Sequence, residues 1–244
     1  MRADFQLFGT PHLATLVLIV AVALVLPLAV RFLQPAARPV GIALAGLLLT
    51  QEGAQLVLTV MREGPSVALL PLHLCSLSVY LTAWMLITRA QRVYEVVYFW
   101  GLGGTTQALL TPDLVQGFPS AAYLLFFLGH GLVIVGVLYA TIVFGLRPYP
   151  ASILRVAALT LALAGGVFFV NLWLGTNFLY LMDKPERSSL LDWFGPWPWY
   201  WLGLIGVGLL SFLLLYAPFW VADRVKGHIA DQDRSGSRPS CQDG

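Results

Sequence analysis

Two histidines, one cysteine and one glutamate are embedded in apolar surroundings. Leu70-Pro71-Leu72-His73-Leu74-Cys75-Ser76-Leu77-Ser78 holds an imidazole and a thiol. His130 interrupts Phe126-Phe127-Leu128-Gly129-His130-Gly131-Leu132, and Glu52 stands with Gln51 and Gln55 inside the apolar run Val40–Met61. Imidazole titrates near neutrality and can take the proton of a nearby nucleophile, so a thiol or hydroxyl beside it is equipped for acyl chemistry. Carboxamides can orient that base or donate to an oxyanion. The candidate catalytic residues are His130, Cys75 and His73, with Thr105 and Thr106 as alternative nucleophiles to Cys75. Glu52, Gln55, Gln107, Thr105 and Asn171 are the candidates for binding or orienting.

These side chains need elements that tolerate apolar surroundings. The 244 residues are 58% hydrophobic and 11% charged, where a soluble domain is about a quarter charged. That composition reads as an integral membrane protein, and in lipid the backbone must pair within itself, which predicts helices. Seven stretches have the length and apolarity of spans: 12–32, 40–61, 67–88, 93–110, 119–146, 152–180 and 199–221. The expected fold is therefore all-α, a multi-pass bundle of seven transmembrane helices over residues 1–226. Residues 227–244 are rich in Asp, Ser and Arg, bury almost nothing, and are expected to be a disordered tail.

Arg31, Arg38, Arg89, Arg92, Arg147, Arg155, Arg224, Lys226, Arg234 and Arg238 fall on one side of this arrangement. Arg2, Arg62, Lys184 and Arg187 fall on the other. The basic excess predicts a cytoplasmic C-terminus and an outside N-terminus in the cell membrane. The small net charge of +2 gives no reason to expect nucleic acid. Cys75 in a span and Cys241 in the tail are not expected to pair. No ligand spacing points to a metal or another cofactor, although His73, His130 and Glu52 are of ligating type.

Depth follows from a rise of about 1.5 Å per residue. His73 and Cys75 come out on the order of 10 Å below the outer end of their stretch, and His130 roughly 15–18 Å below. Glu52 and Gln55 lie about 10–15 Å deep, with Gln107 and Thr105 within about 10 Å of the outer end. The common depth predicts one outer-half cavity. Helical phase groups Glu52, Gln55, Thr59 and Arg62 on one face, and Gly103, Gln107 and Thr111 on another. His73 and Cys75 are about 200° apart on a regular helix, so only one of them can face the cavity. A glutamate at mid-span needs a partner or a proton. The segment 193–201 packs four tryptophans into nine residues, either as an interfacial anchor or as a lid over the site.

The residues Leu70–Cys75, Tyr98–Asp113, Gly129-His130-Gly131, Asn177–Tyr180 and Gly195-Pro196-Trp197 together resemble the YwaF-type bacterial membrane proteins. They are more distantly similar to the eukaryotic transmembrane protein 164 family, and the resemblance covers nearly all seven stretches. It adds Asn177 and Tyr180 to the binding or orienting set. It implies a phospholipid acyltransferase working through cysteine and histidine, or, in a remoter group of androgen-induced hydrolases, through threonine and histidine. The histidine carries over to His130. In the eukaryotic pattern a cysteine follows the proline and precedes a histidine; here Leu72 stands at the cysteine position and His73 matches the histidine, which leaves Cys75 either a displaced substitute or no counterpart at all.

Three functional classes follow. The first is an acyltransferase or hydrolase whose partners are membrane lipids. The second is a small-molecule binding or transport protein without catalysis; the apolar inner halves 13–30 and 203–216 speak against a transport path through the membrane. The third is a structural or assembly protein in which the polar groups only pack.

Overall fold

The computed structural model describes residues 4–33, 36–184 and 190–236. Among these, the chain is helical: α1 (Thr10–Phe32), α2 (Ala37–Glu63), α3 (Leu74–Thr88), α4 (Gln91–Trp100), a π turn (Gly101–Thr105), α5 (Thr106–Leu110), α6 (Ala121–Ile142), α7 (Pro150–Leu174) and α8 (Tyr200–Gly236). Helix therefore occupies all seven stretches expected to span. Five helices, α1, α2, α6, α7 and α8, are long and apolar enough to cross a membrane. The third stretch departs from expectation. Its first part forms a 3-10 turn (Val67–Leu69), Leu70 and His73 are extended, and α3 has only 15 residues. Pro71 is the physical reason, since the residue before a proline is driven out of the helical region. The fourth stretch is α4, the π turn and α5 run end to end.

α6 is the central helix. Half of its most apolar window is buried, against 11% for α7 and α8. Val133, Val137, Tyr139 and Ala140 of α6 meet Val97 and Phe99 of α4 and Met85 and Leu86 of α3 in one core. The outward faces of α1, α7 and α8 present Val17, Leu18, Val25, Leu161, Phe169, Leu210 and Leu214, which suits hydrocarbon and not water. The aromatic side chains of α4 find partners for their polar ends, as buried Tyr and Trp should. Tyr98 Oη donates to Leu215 O of α8 at 2.9 Å, and Trp100 Nε1 donates to Thr160 Oγ1 of α7 at 2.8 Å.

The two ends of the bundle differ in chemistry. At one end, Glu95 of α4 accepts from Arg155 of α7 at 2.6 Å and lies 3.5 Å from Arg92, while Arg147 grips Asp223 of α8 through its two terminal guanidinium nitrogens. At the other end, His12 at the start of α1 is 1% exposed. The Phe8 amide donates to its Nδ1 at 3.0 Å, so Nε2 carries the proton and donates to Leu109 O of α5 at 2.8 Å. Tyr123 of α6 donates to Pro11 O at 3.0 Å beside it. The His12→Phe variant keeps the ring's bulk but strands the Leu109 carbonyl and the Phe8 amide. It is expected to destabilise by about 1–3 kcal/mol, read as a lower thermal midpoint of the detergent-solubilised protein.

Candidate functional site

The His12 end of the bundle contains a cavity of about 140 Å³. Its polar lining is Gln51, Glu52 and Gln55 from α2, Cys75 and Ser76 from α3, Thr105 from the π turn and His130 from α6. Val79, Leu125, Phe126 and Val133 supply the apolar wall. Five predicted site residues thus meet: His130, Cys75, Glu52, Gln55 and Thr105. Because α3 begins at Leu74, Cys75 sits in its first turn, where backbone N–H groups have no carbonyl one turn earlier to bond. The first such bond is Leu77 N to His73 O at 3.1 Å, which leaves the amides of Leu74, Cys75 and Ser76 outside the ladder.

His130 is fixed by two contacts. Its ring stacks on Phe126 with centroids 4.2 Å apart and planes 30° apart. Its Nδ1 lies 2.9 Å from the carbonyl oxygen of Phe126. A carbonyl only accepts, so Nδ1 carries the proton and Nε2 of the neutral ring carries the lone pair. Thr105 is held by the turn that presents it, its hydroxyl donating to Gly101 O. One-turn π segments inside helices are frequent at functional sites, and this one brings Thr105 to the cavity while exposed Thr106 and Gln107 stay off its wall.

Gln51 joins the site although it was absent from the sequence-derived set. It is 5% exposed, and its Nε2 donates to Leu125 O at 2.9 Å. The carboxamide lies directly over Gly129, where an added Cβ would stand 2.7 Å from Oε1 and Nε2. The bond to Leu125 fixes which end of the amide is nitrogen, and the oxygen is left buried without a hydrogen-bond partner among the described residues. Among the described residues Gln55 Oε1 is also buried without one.

The sequence matches the TMEM164 family over residues 7–216, which takes in every residue of this cavity. The chain belongs to the TMEM164 family. An uncharacterized protein of Treponema pallidum (strain Nichols) is similar to it, with 29% identity over 150 residues. The alignment covers 62% of each chain, so this chain spans about three fifths of the curated relative it matches. No solved structure matches it. With its apolar helices, the TMEM164-family chain is an integral membrane protein.

Other predicted site residues of this TMEM164-family chain lie elsewhere. His73 is the residue before α3, and its ring faces Phe178 and Tyr180 at centroid distances of 5.4 and 5.8 Å. The conflict of phase between His73 and Cys75 is thus resolved in favour of the cysteine. Gln107 is exposed and donates to Thr111 at 2.9 Å. Asn171 is a buried fastener of the turn after α7. Its Oδ1 accepts from Phe178 N and its Nδ2 donates to Phe178 O, both at 2.9 Å. Asn177 holds the next turn, accepting from Met182 N at 2.9 Å. Tyr180 O accepts from Tyr200 Oη at 2.6 Å, and both Trp197 and Trp201 donate to Leu181 O. The tryptophan-rich segment is therefore tied to the turn on which His73 rests. Cys241, the last residues of the tail and the loop 185–189 lie outside the described residues.

Proposed function

We propose that this protein is a membrane enzyme that transfers or hydrolyses acyl groups of membrane lipids, with Cys75 as nucleophile and His130 as general base. The observation that carries this reading is the shared cavity, whose lining includes both Cys75 and His130, the imidazole being held by its Nδ1 bond to Phe126 O. As sulfur attacks an ester carbonyl, the thiol proton passes to His130 Nε2. The carbon–oxygen bond breaks, the proton goes to the leaving alkoxide, and the acyl group stays on Cys75 as a thioester. Water or an alcohol then attacks, gives its proton to Nε2, and the carbon–sulfur bond breaks as sulfur recovers the proton. The free amides of Leu74–Ser76 supply donors for the transient oxyanion, the usual place for large electrostatic gains. Among the described residues no lysine or arginine lines the cavity to hold a preformed thiolate, so in this reading proton removal by His130 accompanies attack.

Within the TMEM164 family we group the chain with the YwaF-type bacterial members. We further propose that all seven helical stretches cross the cell membrane, with the Glu95–Arg155 end inside and the cavity in the outer half. The basic excess at the inner end supports that orientation. The test of function is a lipid profile of membranes from cells expressing wild type, His130→Ala and Cys75→Ala at matched protein levels. Wild type is expected to shift one lipid class and both variants to leave it at the control level. No difference between wild type and His130→Ala would turn the assignment to a binding protein.

A further inference from the structure

We infer that Arg92 of α4 and Arg155 of α7 form a binding site for the phosphodiester of an anionic membrane lipid, at the end of the bundle opposite the cavity. The inference rests on that end alone and is independent of the acyl-transfer reading.

The site is built around one buried carboxylate. The Glu95 side chain is 4% exposed, and its Oε2 accepts from Arg155 Nε at 3.1 Å and from Arg155 Nη2 at 2.6 Å. Arg92 Nη1 stands 3.5 Å from the same oxygen, so two guanidinium groups meet at a single atom. The other oxygen, Oε1, accepts from Gln91 Nε2 at 3.3 Å. Both guanidiniums are charged at any ordinary pH, and the one carboxylate cancels only one of them. The Arg147–Asp223 pair at the same end is neutral in itself and supplies no second counter-charge. One positive charge is left over at a fixed place.

The donors point to the same occupant. Arg155 Nη2 also donates to Ser152 Oγ at 3.1 Å, which uses both of its protons and leaves the two on Nη1. Arg92 has only its 3.5 Å approach to Glu95 among the described residues. These unspent donors are accessible, since the Arg92 and Arg155 side chains are 71% and 41% exposed. A phosphodiester brings one negative charge and two unesterified oxygens. It matches the excess charge and offers each guanidinium an oxygen. A choline lipid brings the same phosphate with a cation that the two arginines repel. The phosphate could be carried by a lipid or be free in solution, and the surroundings favour the lipid. Leu154, next to Arg155, is 75% exposed, and Leu159, one turn along α7, is 45% exposed. The arginines thus stand where a hydrocarbon-facing surface ends, and basic pockets between helices at that level suit anionic headgroups.

The experiment uses the full chain in detergent micelles. Phosphatidylglycerol, phosphatidylcholine, inorganic phosphate and sodium chloride at matched ionic strength are added separately, and binding is followed by native mass spectrometry and thermal midpoint. Phosphatidylglycerol is expected to bind more tightly than phosphatidylcholine, and Arg92→Gln to weaken it about tenfold. Arg92 makes no internal hydrogen bond among the described residues, so the lipid-free midpoint of this variant should match wild type. Arg155→Lys keeps a cation on Glu95 but withdraws the outward donors, and is expected to weaken phosphatidylglycerol similarly. Arg38→Gln removes an exposed charge on α2 that is not part of the Glu95 cluster, and should leave binding unchanged. Stabilisation by inorganic phosphate that Arg92→Gln abolishes keeps the anion site and assigns it to a soluble phosphate. Phosphatidylglycerol bound no better than phosphatidylcholine with no effect of inorganic phosphate, equal losses in Arg92→Gln and Arg38→Gln, or the same stabilisation by sodium chloride overturns the inference. The lipid-profile test reads the other end of the bundle, so its failure leaves this result standing.

Discussion

Given a lipid ester with a labelled acyl chain, the protein is expected to acquire the label on Cys75 in a hydroxylamine-sensitive bond. His130→Ala is expected to slow this by roughly 100- to 10,000-fold, the usual worth of a positioned general base. Folding should survive the change. The variant forfeits one stacked ring and one side-chain bond to Phe126 O, about 1 kcal/mol, and the thermal midpoint separates that effect from the kinetic one. Cys75→Ala should carry no label. Thr105 is the competing nucleophile on the same wall, but its hydroxyl proton is already given to Gly101 O inside the π turn. Its activation would require breaking the bond that positions it. Label on Thr105, found by peptide mapping of wild type, would move the nucleophile to that turn. Label on neither residue over many turnovers would sink the covalent route altogether.

Hydropathy located the helices because apolar runs of the right length have few other uses in a chain so poor in charge. Their ends were less visible. Val67–His73 is as apolar as the helix after it, and only Pro71 marks that the helix cannot begin before it. The depth assigned to Cys75 assumed helix from the start of the stretch, whereas the residue lies in the first turn of α3. The π turn leaves no periodic trace, since five residues are too few to shift a pattern, although Gly101, Gly103 and Gly104 marked the place. Glu52, Gln55, Thr59 and Arg62 make the neater stripe and leave Gln51 off it. Yet Gln51 and Gln55 are i, i+4 neighbours and share a face equally well. Depth alone makes Asn171 a cavity group, and the family resemblance alone adds Asn177. Gly175, in the left-handed conformation at φ +64°, is the helix-ending signal that places both beyond or at the end of α7. The pairing of His130 with Cys75 needed the tertiary structure, because nothing in a single sequence relates the faces of α3 and α6.

Gly129→Ala sets two effects of opposite sign against each other, and their sizes decide the outcome. Alanine in a helix interior gains about 1 kcal/mol over glycine. Here the new methyl would stand 2.7 Å from the Gln51 amide, which cannot swing aside without losing its 2.9 Å bond to Leu125 O. Overpacking of this kind costs about 1–3 kcal/mol, and the lost bond about 1 kcal/mol more. The net expectation is destabilisation, with displacement of the α6 turn that carries His130 and therefore loss of acylation beyond what the thermal midpoint explains. Adding Gln51→Ser removes the obstacle and should restore at least half of the lost midpoint. The double-mutant cycle thus gives a coupling of about 1–2 kcal/mol between two residues on different helices. A Gly129→Ala protein as stable and as active as wild type would mean that α2 and α6 do not approach this closely in the bilayer. The cavity would then be wider than the one on which the thiol chemistry depends.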